Sequence, residues 1–154
     1  MPRRPVLDAD AVVRALQGAF ARGAGRQDLL DLAASRLRAA GEPYTGVYLY
    51  MVHGNDLVLE AFAGRVTDHT RIPVGAGICG RAVAERRDLN VPDVSRADGY
   101  LACNLETRSE LVVLIRRHDE ILGQIDIDCD ATGGFDEVEH AAVKQVADAL
   151  AVFL

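Results

Sequence analysis

The sequence predicts an α+β fold: an antiparallel sheet with helices packed against it. Three observations carry that expectation. Apolar residues recur at helical spacing near both ends of the chain, as Val12, Leu16 and Phe20 and again as Val138, Ala142, Val146, Leu150 and Phe153. The middle of the chain is built from short β-branched and aromatic runs. Hairpin turns join most of these runs, and only one short helical stretch interrupts them. At 154 residues the length is that of one ordinary domain, residues 1–154, large enough to bury a core.

Residues 1–41 read as two helices. The first ends where Ala21-Arg-Gly-Ala-Gly25 breaks the period, and the second follows the stripe Leu29, Ala33 and Leu37 to Gly41. Tyr44 to Val52 (YTGVYLYMV) is apolar on both faces, as expected of a strand covered on each side. His53-Gly-Asn-Asp56 is a turn, and Leu57 to Phe62 is the partner strand of a hairpin. After Arg71-Ile-Pro-Val74, the glycines of Gly75-Ala-Gly-Ile-Cys-Gly80 lead into a short helix reaching Arg87. A brief strand over Leu89 to Val94 precedes an irregular run from Ser95 to Thr107. Two further strands, Glu110 to Ile115 and Ile121 to Asp128, flank Arg116-Arg-His-Asp119. The closing helix starts at Asp136, an N-cap with Glu139 three residues on as a capping box.

Composition excludes several classes. Hydrophobic residues at 49% and charged residues at 26% are globular usage, which removes disordered and fibrous chains. Seventeen basic against 23 acidic residues give a net charge of -6, which argues against nucleic acid or an anionic membrane surface as partner. No window is apolar enough for a membrane span, and the arginines at the start run into Asp8 and Asp10 instead of an apolar signal core. Three cysteines are too few for a disulfide framework and fit a reducing, cytoplasmic setting.

Chemistry concentrates in three places. The string Gly75-x-Gly-x-x-Gly80 has dinucleotide spacing but lacks the parallel βαβ unit that such a site needs, so it reads as a tight turn into a helix. Cys79 then sits in or beside the first helical turn, where amide groups and the dipole favour a thiolate; the plainer alternative is a buried small hydrophobe. Cys103 lies in the longest irregular stretch, where a thiol is either exposed and mobile enough for chemistry or simply a loop residue. Asp126 and Asp128 fall on one face of a strand, two residues apart. Glu110 joins them if the hairpin loop has an odd number of residues; a two-residue turn puts it opposite Ile127, on the other side. Three crowded carboxylates repel, so at least one keeps its proton near neutrality. Set against this is a solvated sheet face with Ile125 and Ile127 on the core side.

Taken together, Arg71-Ile-Pro-Val-Gly-Ala-Gly-Ile-Cys-Gly80, Val91-Pro-Asp-Val94, Gly99-Tyr-Leu-Ala-Cys103, Ser109-Glu110 and Gly123-Gln-Ile-Asp-Ile-Asp128 resemble the GAF domain family. Within it they are most similar to the enzymes that reduce free methionine-(R)-sulfoxide. The resemblance spans residues 26–154, leaving 1–25 as an N-terminal helix. It implies a six-stranded antiparallel sheet with helices on its faces and a site on the face opposite the terminal helices. It also implies Cys103 as the catalytic cysteine, Cys79 as the second redox cysteine, and Glu110, Asp126 and Asp128 against the substrate amino group or sulfoxide, with Glu110 among the acids able to give a proton. Tyr44 and Tyr48 would fall at the aromatic cage, Tyr44 standing where tryptophan is usual. An upstream cysteine of the family is replaced by Asp68 or His69, Asn104 stands for a common aspartate, and Tyr100 for a common histidine. Cys129 is expected to be a bystander.

The implied chemistry uses no bound cofactor. Cys103 attacks the sulfoxide, becomes a sulfenic acid, and condenses with Cys79 to a disulfide that an external thioredoxin-type reductant reopens. The expected partners are therefore a small amino-acid-like ligand such as free methionine sulfoxide and a thioredoxin-like reductase, with a homodimer also open. Two other readings stand beside the enzyme: a GAF module that binds a small molecule or senses redox state without turnover, and a dimer-forming interaction domain with a vestigial pocket.

Overall fold

The computed structural model describes residues 3–97 and 106–154, so Tyr100, Cys103 and Asn104 lie outside the described residues. Two helices come first, α1 (Ala9–Ala21) and α2 (Arg26–Arg38), where the periodicity places them. Asp8 caps α1 by accepting the Ala11 N–H at 3.1 Å. Six strands follow, with one helix among them: β1 (Gly46–His53), β2 (Asp56–Ala63), β3 (Arg71–Pro73), α3 (Gly77–Glu85), β4 (Leu89–Val91), β5 (Ser109–Arg117) and β6 (Glu120–Cys129). A 3-10 turn occupies Val94–Arg96, and α4 (Glu137–Phe153) closes the chain.

The strands form one sheet in the order β3-β2-β1-β6-β5-β4, and every neighbouring pair is antiparallel. α3 therefore joins the two opposite edges of an antiparallel sheet, which removes the parallel unit that a dinucleotide site requires. Side-chain alternation divides the core in two. Val47, Leu49, Met51, Leu111, Val113, Ile125 and Ile127 face α2 and α4, against which α1 packs. Tyr48, Tyr50, Val112 and Leu114 face α3 together with Ile78 and Cys79.

The register between β5 and β6 decides where the acids point. The turn is the two residues His118 and Asp119, and Arg117 pairs with Glu120. Carried straight on, that register would set Glu110 opposite Ile127. A bulge intervenes: Arg116 pairs with Ile121 but Ile115 pairs with Gly123, so Leu122 is the extra residue. One inserted residue exchanges the two faces of everything beyond it. Glu110 consequently pairs with Asp128, and the three acids share a face.

Two local expectations are revised. The first strand begins at Gly46 instead of Tyr44, because the Tyr44 N–H is taken by Gly41 O at 2.8 Å in a preceding turn. The capping box of α4 closes on one side only. Asp136 accepts the Glu139 N–H at 3.0 Å, but the buried Glu139 carboxylate turns to the Tyr44 hydroxyl, the Val6 and Leu7 amides and Arg3. The N-terminal segment brings charged and polar donors into its reach, and these outcompete the cap amide.

Candidate functional site

The site is built on the sheet face beneath α3. That helix starts at Gly77, with Ala76 at the N-cap, placing Cys79 in its first turn, as the sequence predicts. The glycines serve this placement. Gly77 adopts φ +63, a left-handed value that favours glycine. At Gly80 a Cβ would meet Pro73 O at 2.5 Å and Gly75 N at 2.9 Å, so only glycine lets the helix lie this close to the preceding turn. Gln124 of β6 fixes the other side, donating its amide to Cys79 O at 2.9 Å.

Held in this way, the Cys79 thiol donates to Asp126 Oδ2 at 3.2 Å and lies 3.7 Å from Glu110 Oε2. Cys79, Glu110, Asp126 and Asp128 are all buried, with exposures of 5%, 3%, 0% and 4%. Thr107 donates to Asp128 Oδ2 at 3.3 Å. The second oxygens of Asp126 and Asp128, and the Gln124 carbonyl oxygen, find no partner among the described residues. The described side-chain contacts of the Cys79 sulfur are with acids, at the first turn of the helix where the sequence places it.

Burial and mutual repulsion keep protons on this cluster. Glu110 is pushed well above the ordinary carboxyl range, first by desolvation and then by the charge of Asp126 and the hydrogen bond that Asp126 accepts from it. Desolvation and the charge of Asp128 raise Asp126 to about 7. Asp128 is raised well above its usual value by desolvation and by the charge of Glu110. A face of this kind can hold a ligand ammonium and can supply a proton from Glu110.

A narrow crevice, with about 150 Å³ of empty space but no room for a water molecule, reaches Asp128 between Thr45, Gly46, Tyr48, Arg65 and Thr107. Tyr48 is buried in its wall, stacked on Phe62 with centroids 6.3 Å apart and donating its hydroxyl to Arg65 O at 2.7 Å. The Arg65 guanidinium pairs with Asp130 and, at 2.9 Å, with Glu106. A groove of about 850 Å³ between the N-terminal segment and α4 contains neither thiol nor acid trio and lies on the other side of the sheet.

A model of the GAF domain matches residues 25–154. The chain belongs to the GAF domain family. Among curated relatives, it is 36% identical over 67% of its length to GAF domain-containing protein A of Dictyostelium discoideum, covering 64% of that protein. It is 42% identical over 60% of its length to the free methionine-R-sulfoxide reductase of Saccharomyces cerevisiae, covering 52%. These matches therefore span about half to two thirds of the relatives' own length. A solved type II free methionine-R-sulfoxide reductase of Thermoplasma acidophilum superposes with a TM-score of 0.80 at 35% identity, covering 83% of this chain and 91% of that one.

Within this GAF fold, the structure gathers Cys79, Tyr48, Glu110, Asp126 and Asp128 on one face. Cys103 lies outside the described residues. Tyr44 is a correction. It precedes β1 and packs with the terminal-helix core, edge-on to Phe135 at 5.9 Å, with its hydroxyl donated to Glu139 at 2.6 Å. The sheet separates it from the acids, so it does not line the crevice. Cys129 points to the same terminal-helix side, as alternation requires. Asp68 is exposed, and the His69 carbonyl accepts the Tyr50 hydroxyl at 2.7 Å. Sequence reasoning missed Gln124, Phe62, Arg65 and Thr107 as parts of the site. Gln124 was open to the same alternation that selected Asp126 and Asp128. The other three arrive through long-range packing and carry no local signal.

Proposed function

We propose that this protein is an oxidoreductase that reduces free methionine-(R)-sulfoxide, with Cys103 as the attacking thiol and Cys79 as the second sulfur. The observation that carries the reading is the convergence of a thiol and three acids, distant along the chain, on one buried face beside a narrow crevice. The ligand ammonium would meet the unpartnered Asp126 and Asp128 oxygens, and Tyr48 would border its apolar end. The named reductases of yeast and Thermoplasma acidophilum support the choice of substrate.

The chemistry balances with two thiols. The Cys103 sulfur attacks the sulfoxide sulfur while Glu110 protonates the oxygen, and methionine leaves as Cys103 becomes a sulfenic acid. Cys79 displaces the hydroxyl as water, forming a disulfide, and a thioredoxin-type dithiol reduces it. The Cys79 proton leaves in that water, and the proton released by Cys103 as its sulfur attacks restores Glu110 for the next cycle.

Reduced protein mixed with free methionine-(R)-sulfoxide, thioredoxin, thioredoxin reductase and NADPH should oxidise NADPH. Cys103→Ser should abolish the signal, and Glu110→Gln should lower kcat by about 10²–10⁴, the usual worth of a positioned acid. Turnover no greater than in the Cys103→Ser control would overturn the reading and leave a ligand-binding GAF module. That second reading draws on the relative named only for its GAF domain, and on Asp68 or His69 standing where the family's upstream thiol is usual.

A further inference from the structure

We propose that Cys79, Glu110 and Asp126 form a binding site for one thiophilic divalent cation, zinc being the case their chemistry suits best. The argument begins with distances. Around a tetrahedral zinc ion, a sulfur at about 2.3 Å and a carboxylate oxygen at about 2.0–2.2 Å stand about 3.5 Å apart. Here the sulfur lies 3.2 Å from Asp126 Oδ2 and 3.7 Å from Glu110 Oε2, on either side of that value. One donor atom from each of the three side chains falls within 4.8 Å of the other two. The sulfur thus stands from each carboxylate oxygen at nearly the separation an ion would impose.

The hydrogen bonding of the acids adds a second observation. Asp126 and Asp128 are each more than nine-tenths buried, and each leaves one oxygen without a partner among the described residues. Asp128 pairs across the ladder with Glu110 and follows Asp126 on the same face. Buried carboxylate oxygens are ordinarily satisfied, and an unsatisfied one marks a place where a cation gains more than usual. The Gln124 carbonyl oxygen, two residues before Asp126 on β6, is likewise buried without a partner among the described residues. Its amide holds Cys79 O, giving the support behind a ligand that metal sites characteristically have.

The donor set also selects the ion. A cysteine sulfur with two carboxylates is too soft for magnesium or calcium, which prefer all-oxygen shells, and suits zinc or its spectroscopic substitute cobalt. On binding, the S–H and carboxyl protons leave to solvent as one S–metal and two O–metal bonds form, with no oxidant or reductant required. Three protein ligands leave a fourth position for water. The ion would occupy the sulfur and the acid that the proposed reductase reaction uses, so zinc would act as a reversible inhibitor that a chelator relieves.

Anaerobic titration of the reduced protein with Co2+ reads this directly. The expected result is a near-ultraviolet thiolate-to-cobalt charge-transfer band with visible bands of four-coordinate cobalt, saturating at one equivalent and displaced by Zn2+. The charge-transfer band should vanish in Cys79→Ser and persist in Cys129→Ser and Cys103→Ser. Glu110→Gln and Asp126→Asn should each weaken affinity by at least about tenfold, the lower end of what losing even a supporting residue costs a metal site. A band retained in Cys79→Ser, a band lost in Cys103→Ser, affinity unchanged in both carboxylate variants, or no band in the wild type would each overturn the site. Should Cys79→Ser fail to fold, the carboxylate variants carry the test, since both keep the thiol. Cobalt binding needs no turnover, so its outcome is read separately from the reductase assay.

Discussion

Tyr44 is a side chain that the family resemblance puts in an aromatic cage and the structure puts in the terminal-helix core. It begins an aromatic run with Tyr48, and the two are an even number of residues apart, so simple alternation puts them on one face. The strand begins only at Gly46, and the turn before it rotates Tyr44 to the far side, where it serves the buried Glu139 carboxylate. Its hydroxyl is held far above its ordinary value by burial and by that carboxylate. Tyr44→Phe should therefore cost about 1.5–3 kcal/mol in urea unfolding, the range for a hydrogen bond to a charged group, and leave coupled turnover within about twofold of wild type. A tenfold loss of turnover at unchanged stability would return Tyr44 to the site. Asp126 and Asp128, by contrast, were legible as a pair because alternation inside a regular strand is a strictly local rule.

At the scale of elements, α3 and the β5–β6 hairpin do the positioning. Gly80 is helical, so Ala should gain about 1 kcal/mol of helix propensity there. Against this, the new Cβ would press on backbone atoms of Pro73 and Gly75 at 2.5 and 2.9 Å, and backbone cannot swing aside. Overpacking of this kind costs about 1–3 kcal/mol, so the clash wins and Gly80→Ala should lower stability and carry Cys79 away from the acids. Thermal melting and the cobalt band together check it; a stabilised variant with an intact band would show the contact to be soft. The hairpin teaches a complementary lesson. Its two-residue turn, read alone, predicts the wrong face for Glu110, and the bulge at Leu122 restores the right one. Nothing local in Ile121-Leu-Gly123 announces the extra residue beyond a glycine, whose Cβ would meet Tyr50 O at 2.4 Å and so must be absent.

Across the whole molecule, the sheet separates two kinds of buried polar chemistry. On the α3 side the acids repel one another, whereas on the terminal-helix side Glu139 is fully satisfied and ties the N-terminal segment to α4 and Tyr44. Arg3 extends that tie to Asp136 at 2.5 Å. The Asp136 carboxyl is lowered to about 2, first by Arg3 and then by the Glu139 amide. A depressed folded-state value contributes stability above the unfolded value of 3.8 and loses it as pH falls through 2. Asp136→Asn, which keeps a capping side chain, should melt earlier than wild type at pH 7, and the gap should close between about pH 4 and pH 2. A gap that stays constant with pH would show that the charge is not the source. Among the described residues no helix is long and apolar enough to cross a membrane, as the hydropathy of the sequence indicates. The sequence by itself determined the helices, the strands, the antiparallel class and the pairing of Asp126 with Asp128 on one face, because periodicity and capping act within a few residues. Only the tertiary structure decided that Glu110 joins them, that Cys79 points into their midst and that Tyr44 does not. Those outcomes depend on a one-residue bulge, a glycine-permitted approach of helix to turn, and the point where a strand starts, each fixed by contacts between segments far apart in the chain.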